Sequence, residues 1–245
     1  MAKKVAMVGY SLNRHKAPFN DESFEIWSLN DLYQHIPRYN RWFQLHTQKD
    51  VETKNLEARQ GRCCEWEAMV EVFKQMPCPV YMQQEHPLIP QSVKYPLEEI
   101  LGHFGKCFTD PDNTKYFTNT VSYMLALAIY EGFDEIHIYG IDMSTFLEDG
   151  EYAFQRPSCE FWLGMAAGRG IKLHIPKESD LLKTRFLYAY EEEKKHAYEE
   201  KIKYLQEDVA KKKAQTIEQQ RHWRDHQKEY EGAELALKEL LLTWQ

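Results

Sequence analysis

The chain has 245 residues, of which 43% are hydrophobic and 13% aromatic. That suffices for the core of one large domain, or of a domain with an extension, and excludes a disordered chain. The net charge of −7 excludes the overall basic character by which duplex DNA binders hold phosphates, so nucleic acid is not expected as the main partner. Five cysteines, at 63, 64, 78, 107 and 159, lack the spacing of a zinc site. No apolar run fits a leader or a membrane span, so a reduced, cytoplasmic protein is expected.

Short apolar runs ending in turn residues dominate the first 176 positions. In chain order they are Val5–Val8 before Gly9, Glu25–Leu29 before Asn30-Asp31, and Arg41–Leu45 before His46-Thr47. Pro79–Met82 ends at Gln83-Gln84, Glu135–Tyr139 at Gly140-Ile141-Asp142, and Ile171–Ile175 at Pro176. Such runs suit parallel strands buried on both faces. Helical spacing between them covers 63–76, with Trp66, Met69, Val70 and Phe73, and then 119–131, which closes at Gly132. A third helix is expected over 159–169. Strand–helix alternation of this kind predicts a doubly wound, mainly parallel α/β sheet.

Beyond Pro176 the character changes, with neither proline nor glycine from Lys177 to Glu231 and many Glu, Lys and Gln residues. Counting sevens from Ile202 gives Val209, Thr216, Trp223, Tyr230 and Leu237. The companion series is Leu205, Lys212, Gln219, His226, Ala233 and Leu240. This predicts a coiled-coil-like extension that either forms a homo-oligomer or folds back as a solvated helical hairpin. The expected division is a nucleotide-binding domain over 1–178 and a charged helical extension over 179–245.

Ligands of open parallel sheets lie beyond the carboxyl ends of the strands, which makes the strand ends candidates before any family is considered. Gly9 would let a phosphate or ribose approach the backbone and Ser11 would donate to it, although Gly9-Tyr10-Ser11 is neither GxGxxG nor a Walker A loop, and a tight turn explains one glycine equally well. Asn30 could bond a base or sugar, or simply end a strand. Asn119 and Thr120 suit a helix N-cap, whose free amides could also receive a phosphate. Asp110-Pro111-Asp112 matches a metal-binding Asp-x-Asp pattern but sits in a proline turn. Among ten histidines, His46 is placed best for acid–base work, its bland reading being structural.

The run Tyr123–Asp142, followed by Tyr152-Ala153-Phe154, resembles the bacterial sialyltransferases of the Campylobacter lipooligosaccharide type. More loosely it is similar to the related motility-accessory and 6-hydroxymethylpterin-pyrophosphokinase-like group. Val5–Ser11, Asn30, and Gly170–Leu173 leading to Ser179–Leu182 fit as well, so scattered blocks over about 180 residues carry the likeness. The resemblance implies a Rossmann-like transferase that takes a cytidine-monophosphate sugar and requires no metal or other cofactor. It implies nucleotide contacts from Ser11, Asn30 and Thr120, and a phosphate contact from Tyr152. Ser144 stands where a nearer tyrosine belongs. The family's histidine base after the Tyr-Ala-Phe block is absent, since Gln155-Arg156-Pro157-Ser158 follows.

The leading expectation is therefore a metal-independent, glycosyltransferase-like enzyme with a nucleotide-activated donor. His46 would be a replacement base, with Tyr152 and Arg156 at the leaving phosphate. Gly9, Ser11, Asn30, Asn119, Thr120 and Asp142 would form the nucleotide pocket. A non-catalytic nucleotide-binding or sequestering protein is one alternative. Magnesium-dependent pyrophosphoryl transfer, with Asp142 and Asp31 or Asp110 as metal ligands, is another.

Overall fold

The structure, a computed structural model, describes residues 2–57, 66–143 and 151–243. Two compact units divide the chain, Met1–Lys183 and Thr184–Gln245.

The first unit is built on a seven-stranded parallel sheet. Its strands are β1 (Lys4–Val8), β2 (Phe24–Leu29), β3 (Arg41–Phe43), β4 (Val80–Met82), β5 (Ser92–Lys94), β6 (Glu135–Tyr139) and β7 (Lys172–His174). They lie side by side in the order β5-β4-β3-β2-β1-β6-β7, and every pairing is parallel. The helices between them are α1 (Gln48–Glu57), α2 (Trp66–Phe73), α3 (Leu97–Gly105), α4 (Thr120–Tyr130) and α5 (Glu151–Gly168).

Alternation along the strands feeds two cores. Val5, Met7, Trp27, Phe43, Ile136 and Ile138 face one way, onto Ile100 and Phe104 of α3, the almost wholly apolar α4, and Trp162 and Leu163 of α5. Ala6, Val8, Ile26, Trp42, Val80 and Met82 face the other way, onto Trp66, Met69, Val70 and Phe73 of α2. Each fully buried large side chain in these layers contributes about 1.5–3 kcal/mol, so continuous apolar strands are what this two-sided burial requires.

The α/β class and the parallel sheet are as the apolar runs indicate, but several elements carry no signal in them. β5 is a three-residue edge strand with one apolar residue, Val93. α1 is mostly polar, with Val51 packed against the core, and is capped at its start, where the Thr47 hydroxyl accepts from the Asp50 amide (3.2 Å) and the Asp50 carboxylate accepts from the Thr47 amide (2.8 Å). α3 follows Pro96 and buries Ile100 and Phe104. α5 starts eight residues before the expected position 159 and runs through Pro157, which removes one backbone donor without ending the helix. Cys63 and Cys64 lie outside the described residues.

Ser179–Lys183 stays on the first unit. The Ser179 hydroxyl donates to Ile141 O (2.9 Å), the Asp180 amide donates to Asp142 O (2.9 Å), and Leu181 is buried. In the second unit α6 (Glu192–Thr243) is one unbroken helix of 52 residues, about 78 Å long. Of the two alternatives, the helical hairpin is not formed within α6, which is a single rod, because nothing in its sequence breaks a helix except Gly232, and one interior glycine costs only about 1 kcal/mol. Among the described residues no helix is long and apolar enough to cross a membrane.

Candidate functional site

The chain adds strands outward from β1 to β5, then returns to place β6 on the other side of β1. The order reverses between β1 and β6, the point at which open α/β sheets form a crevice. Here that crevice is laced shut by the chain itself. The Gly9 amide donates to Tyr139 O (2.8 Å) and the Ser11 amide to Gly140 O (2.9 Å). The buried Asn13 side chain accepts from the Gly140 amide and donates to the Asp142 carboxylate (2.7 Å). A Cβ on Gly9 would fall 2.5 Å from Gly140 O and 2.7 Å from Ile141 Cγ1. The close approach that Gly9 permits is thus to Gly140, and Asp142 is an anchor for Asn13. Asp31 is likewise engaged, accepting from the Tyr10 hydroxyl. Two groups at this end remain uncommitted among the described residues: the Ser11 hydroxyl and Oδ1 of Asn30, the latter buried. Asn30 takes a left-handed conformation (φ 54°), with its amide on Phe43 O (3.0 Å) and its carbonyl accepting from Trp42 Nε1 (2.9 Å).

A larger opening lies at the same rim, beyond the carboxyl ends of β3, β4 and β5. It is a cleft of about 1020 Å³, at the upper end of the size that holds a nucleotide-sized ligand. Leu45 and His46 come from the segment after β3, Lys49 and Asp50 from the first turn of α1, Gln83 and Gln84 from the segment after β4, and Lys94 ends β5. Helices α1 and α3 follow β3 and β5, while α4 follows α3 through the 3-10 turn Pro111–Thr114, and the starts of all three line this rim. Glu98 and Glu99 come from the start of α3, Asn119 and Thr120 from the start of α4. Phe117 and Tyr123 stack at 4.4 Å between ring centroids, and Tyr95 meets Tyr123 edge-on at 5.1 Å, giving the cleft an aromatic wall. Burial pushes the Tyr123 and Tyr95 phenols up, so both stay neutral donors at ordinary pH. The Tyr95 hydroxyl donates to Tyr123 O (2.9 Å).

Of the expected site residues, His46, Asn119 and Thr120 meet in this cleft. Asn119 is a true N-cap, since Oδ1 accepts from the Ser122 amide (3.0 Å) while Nδ2 donates to Gln155 O (2.9 Å). Its side chain is therefore occupied, and the first-turn amides it does not reach, with the Thr120 hydroxyl, are what the helix start offers a ligand. The lining thus mixes the His46 imidazole and the ammonium groups of Lys49 and Lys94 with the carboxylates of Asp50, Glu98 and Glu99, a set that can bind both anionic groups and hydroxyls.

Arg156 and Tyr152 are not among the residues that line it. The Arg156 guanidinium donates to the Glu160 carboxylate (2.8 Å), to Asp180 O (2.6 Å) and to Lys183 O (2.9 Å), fastening the chain after β7 to α5. Tyr152 sits exposed in the first turn of α5. Ser144 lies outside the described residues. Asp110 caps a 3-10 turn by accepting from the Asp112 amide (3.0 Å), and Asp112 pairs with Lys115 (2.6 Å), so the Asp-x-Asp pair serves the turn. Among the described residues no group of three or more His, Cys, Asp or Glu side chains is arranged to hold a metal.

Lys49, Lys94, Tyr95 and Glu98 line the cleft without belonging to any motif in the sequence. Pro96, with Leu97, Ile100 and Phe104 at helical spacing behind it, was the signal that a helix starts there. Lys49 and Lys94 carry no signal, because isolated lysines are common everywhere.

Neither a family model nor a curated relative matches the chain. Among solved structures it is similar to the sialyltransferase CST-II in complex with a trisaccharide acceptor and CMP, at 14% identity over 70% of this chain and 79% of that one, with a TM-score of 0.41. It is similar also to CstII from Campylobacter jejuni with CMP, at 13% identity over 76% of this chain and 88% of that one, TM-score 0.43. The same enzyme with CMP-3FNeuAc matches at 15% identity over 76% and 93%, TM-score 0.39. At such identities these are likenesses of fold class and no more.

Proposed function

We propose that the chain is a glycosyltransferase-like enzyme that takes a nucleotide-activated sugar, CMP-linked in the first instance, and transfers the sugar to an acceptor hydroxyl without a metal. The observation that carries this reading is one cleft at the carboxyl ends of parallel strands, where His46 meets the start of α4. The leaving phosphate rests against the first-turn amides of α4 and the Thr120 hydroxyl, with the lysines of the lining to offset its charge. Fixed donors of this kind stabilise charge as it develops and need no reorganisation. His46 takes the proton of the acceptor hydroxyl, and Phe117 and Tyr123 offer their faces to a ring. The Ser11 hydroxyl and Asn30 Oδ1 take the nucleoside end. Two strand spacings separate β1 from β3, about 10 Å, the scale of a nucleotide.

Calorimetric titration with CMP, UMP, AMP and GMP, with and without EDTA, tests this. CMP is expected to bind selectively and to survive the chelator. Thr120→Val should weaken it roughly tenfold or more, the cost of one hydrogen bond to a charged group. His46→Ala should keep CMP affinity but lose turnover of a CMP-sugar. Saturable binding without turnover in the wild-type protein would favour the sequestering reading, a magnesium requirement would favour pyrophosphoryl transfer, and no nucleotide binding at all would refute the proposal.

A further inference from the structure

Helix α6 carries a stripe of large apolar side chains that nothing in its own unit covers. Leu205, Val209, Trp223, Tyr230 and Leu237 are between 43% and 69% exposed; the last four recur at multiples of seven and Leu205 lies one turn before Val209, which keeps all five on one slowly drifting face of an unbroken helix. A solvated single helix stabilised by its i, i+4 ion pairs has no use for a tryptophan, a tyrosine and two leucines in register. We propose that α6 pairs with α6 of a second copy of this chain, and that the two helices run antiparallel.

The direction follows from what each arrangement sets face to face. In a parallel pair every layer repeats itself, so Lys212 meets Lys212, His226 meets His226 and Trp223 meets Trp223. The polar members of one series would then be buried against their own kind. An antiparallel pair centred near Arg221 mates the two series with each other. Ile202 then faces Leu240, Leu205 faces Leu237, Val209 faces Ala233, and Gln219 faces Trp223. Lys212, whose ammonium already pairs with Asp208 at 2.7 Å, lays its stem over Tyr230. Of the polar residues in the middle of one series, Lys212 and Gln219 therefore fall opposite Tyr230 and Trp223, and His226 falls opposite Thr216.

Charge selects the same direction. From 201 to 217 the helix holds Lys201, Lys203, Lys211, Lys212 and Lys213 against Glu207 and Asp208, a net +3. From 226 to 243 it holds Glu229, Glu231, Glu234 and Glu239 against Lys228 and Lys238, a net −2. The antiparallel pair lays the basic stretch along the acidic one, with Lys203 level with Glu239, Lys211 with Glu231 and Lys213 with Glu229. The parallel pair lays like on like. The paired length from 202 to 240 is about 58 Å, and a contact strip about 10 Å wide on each helix buries roughly 1,200 Å² in total, above the ~1,000 Å² expected of a specific interface.

Light scattering on the full chain at micromolar concentration should give twice 29.2 kDa. Amine-reactive cross-linking then reads the direction. Lys203 and Lys238 are roughly 52 Å apart along one helix, beyond a short linker, so a link between them arises only in an antiparallel pair. Substitution provides the second arm. Leu205→Glu with Leu237→Glu should give single chains, while Leu205→Glu with Leu237→Lys should stay paired, because only the antiparallel arrangement sets the new glutamate against the new lysine. Single chains for the wild-type protein would overturn the proposal. So would a dimer without the Lys203–Lys238 link, or dissociation of the glutamate–lysine variant with its helix intact by circular dichroism.

Discussion

Gly9 and Gly140 press their backbones together at the centre of the sheet's carboxyl rim, and Gly140 does so at φ +67°. A methyl group at either position has nowhere to go, since the obstacle is backbone. Gly140→Ala should destabilise the fold by roughly 3 kcal/mol or more, combining left-handed strain with the clash, and urea denaturation will measure it. Gln44 presents the opposite case. It is 1% exposed at the end of β3, and neither end of its amide has a hydrogen-bond partner. Alternation puts it on the face of Trp42, away from the cleft, so its burial is a cost with no ligand contact to offset it. Gln44→Leu should raise stability by about 1–2 kcal/mol and leave CMP affinity unchanged. A fall in stability would mean that the amide is satisfied in solution. Both glycines stood out in the sequence as strand-end residues, but the reason for them did not, because their neighbour lies 131 positions away.

At the scale of elements, α5 and its attachments separate two roles that the sequence left combined. Arg156 joins α5 to the turn at 180–183 by donating to two carbonyls and a carboxylate. Arg156→Lys cannot reproduce that fork. It should lower stability by about 1–2 kcal/mol while nucleotide affinity holds, whereas a phosphate-binding role would show as lost affinity at unchanged stability. On β6 and β7, His137 lies between Phe24 and His174, each 4.7 Å away by ring centroid, and its Nε2 donates to the Glu135 carboxylate at 2.7 Å. Burial, then the neighbouring His137, push the His174 imidazole down from its ordinary range. A base depressed in the fold binds its proton more readily when unfolded. Its contribution is present above about pH 6.5 and is lost as pH falls towards the folded value. The denaturation midpoint should therefore drop between pH 7.5 and 5.5, and His174→Gln should flatten that slope. These pairs were invisible in sequence, since β6 and β7 meet only across the α5 crossover.

For the whole molecule, salt offers a separate probe of the paired tails. Opposed charge stretches on a solvated helix are screened within about 3 Å at 1 M salt, against about 8 Å at 0.15 M. Raising salt to 1 M should weaken self-association severalfold if the pairing is antiparallel, and strengthen it if like stretches are aligned. Concentration-dependent sedimentation reads the sign. The first unit's cleft ligand should be insensitive to Leu205→Glu, which lies on the other unit.

The sequence by itself determined the α/β class, the strands with two buried faces, the long helical extension and the residues at the strand ends. These are local or periodic properties: β1, β2 and β6 are continuous apolar runs because both faces are covered, and α4 is apolar all round because it is enclosed. Tertiary structure alone decided which strand ends meet. It set the strand order, closed the β1–β6 crevice with Asn13, and opened the cleft two strands away, where His46, Lys94 and the start of α4 come together. No spacing rule could supply that, because strand order depends on long-range hydrogen bonding and packing between segments whose sequences do not register one another. The same division holds for α6. Its seven-residue series is written in the chain, but only an unbroken helix makes them one continuous face.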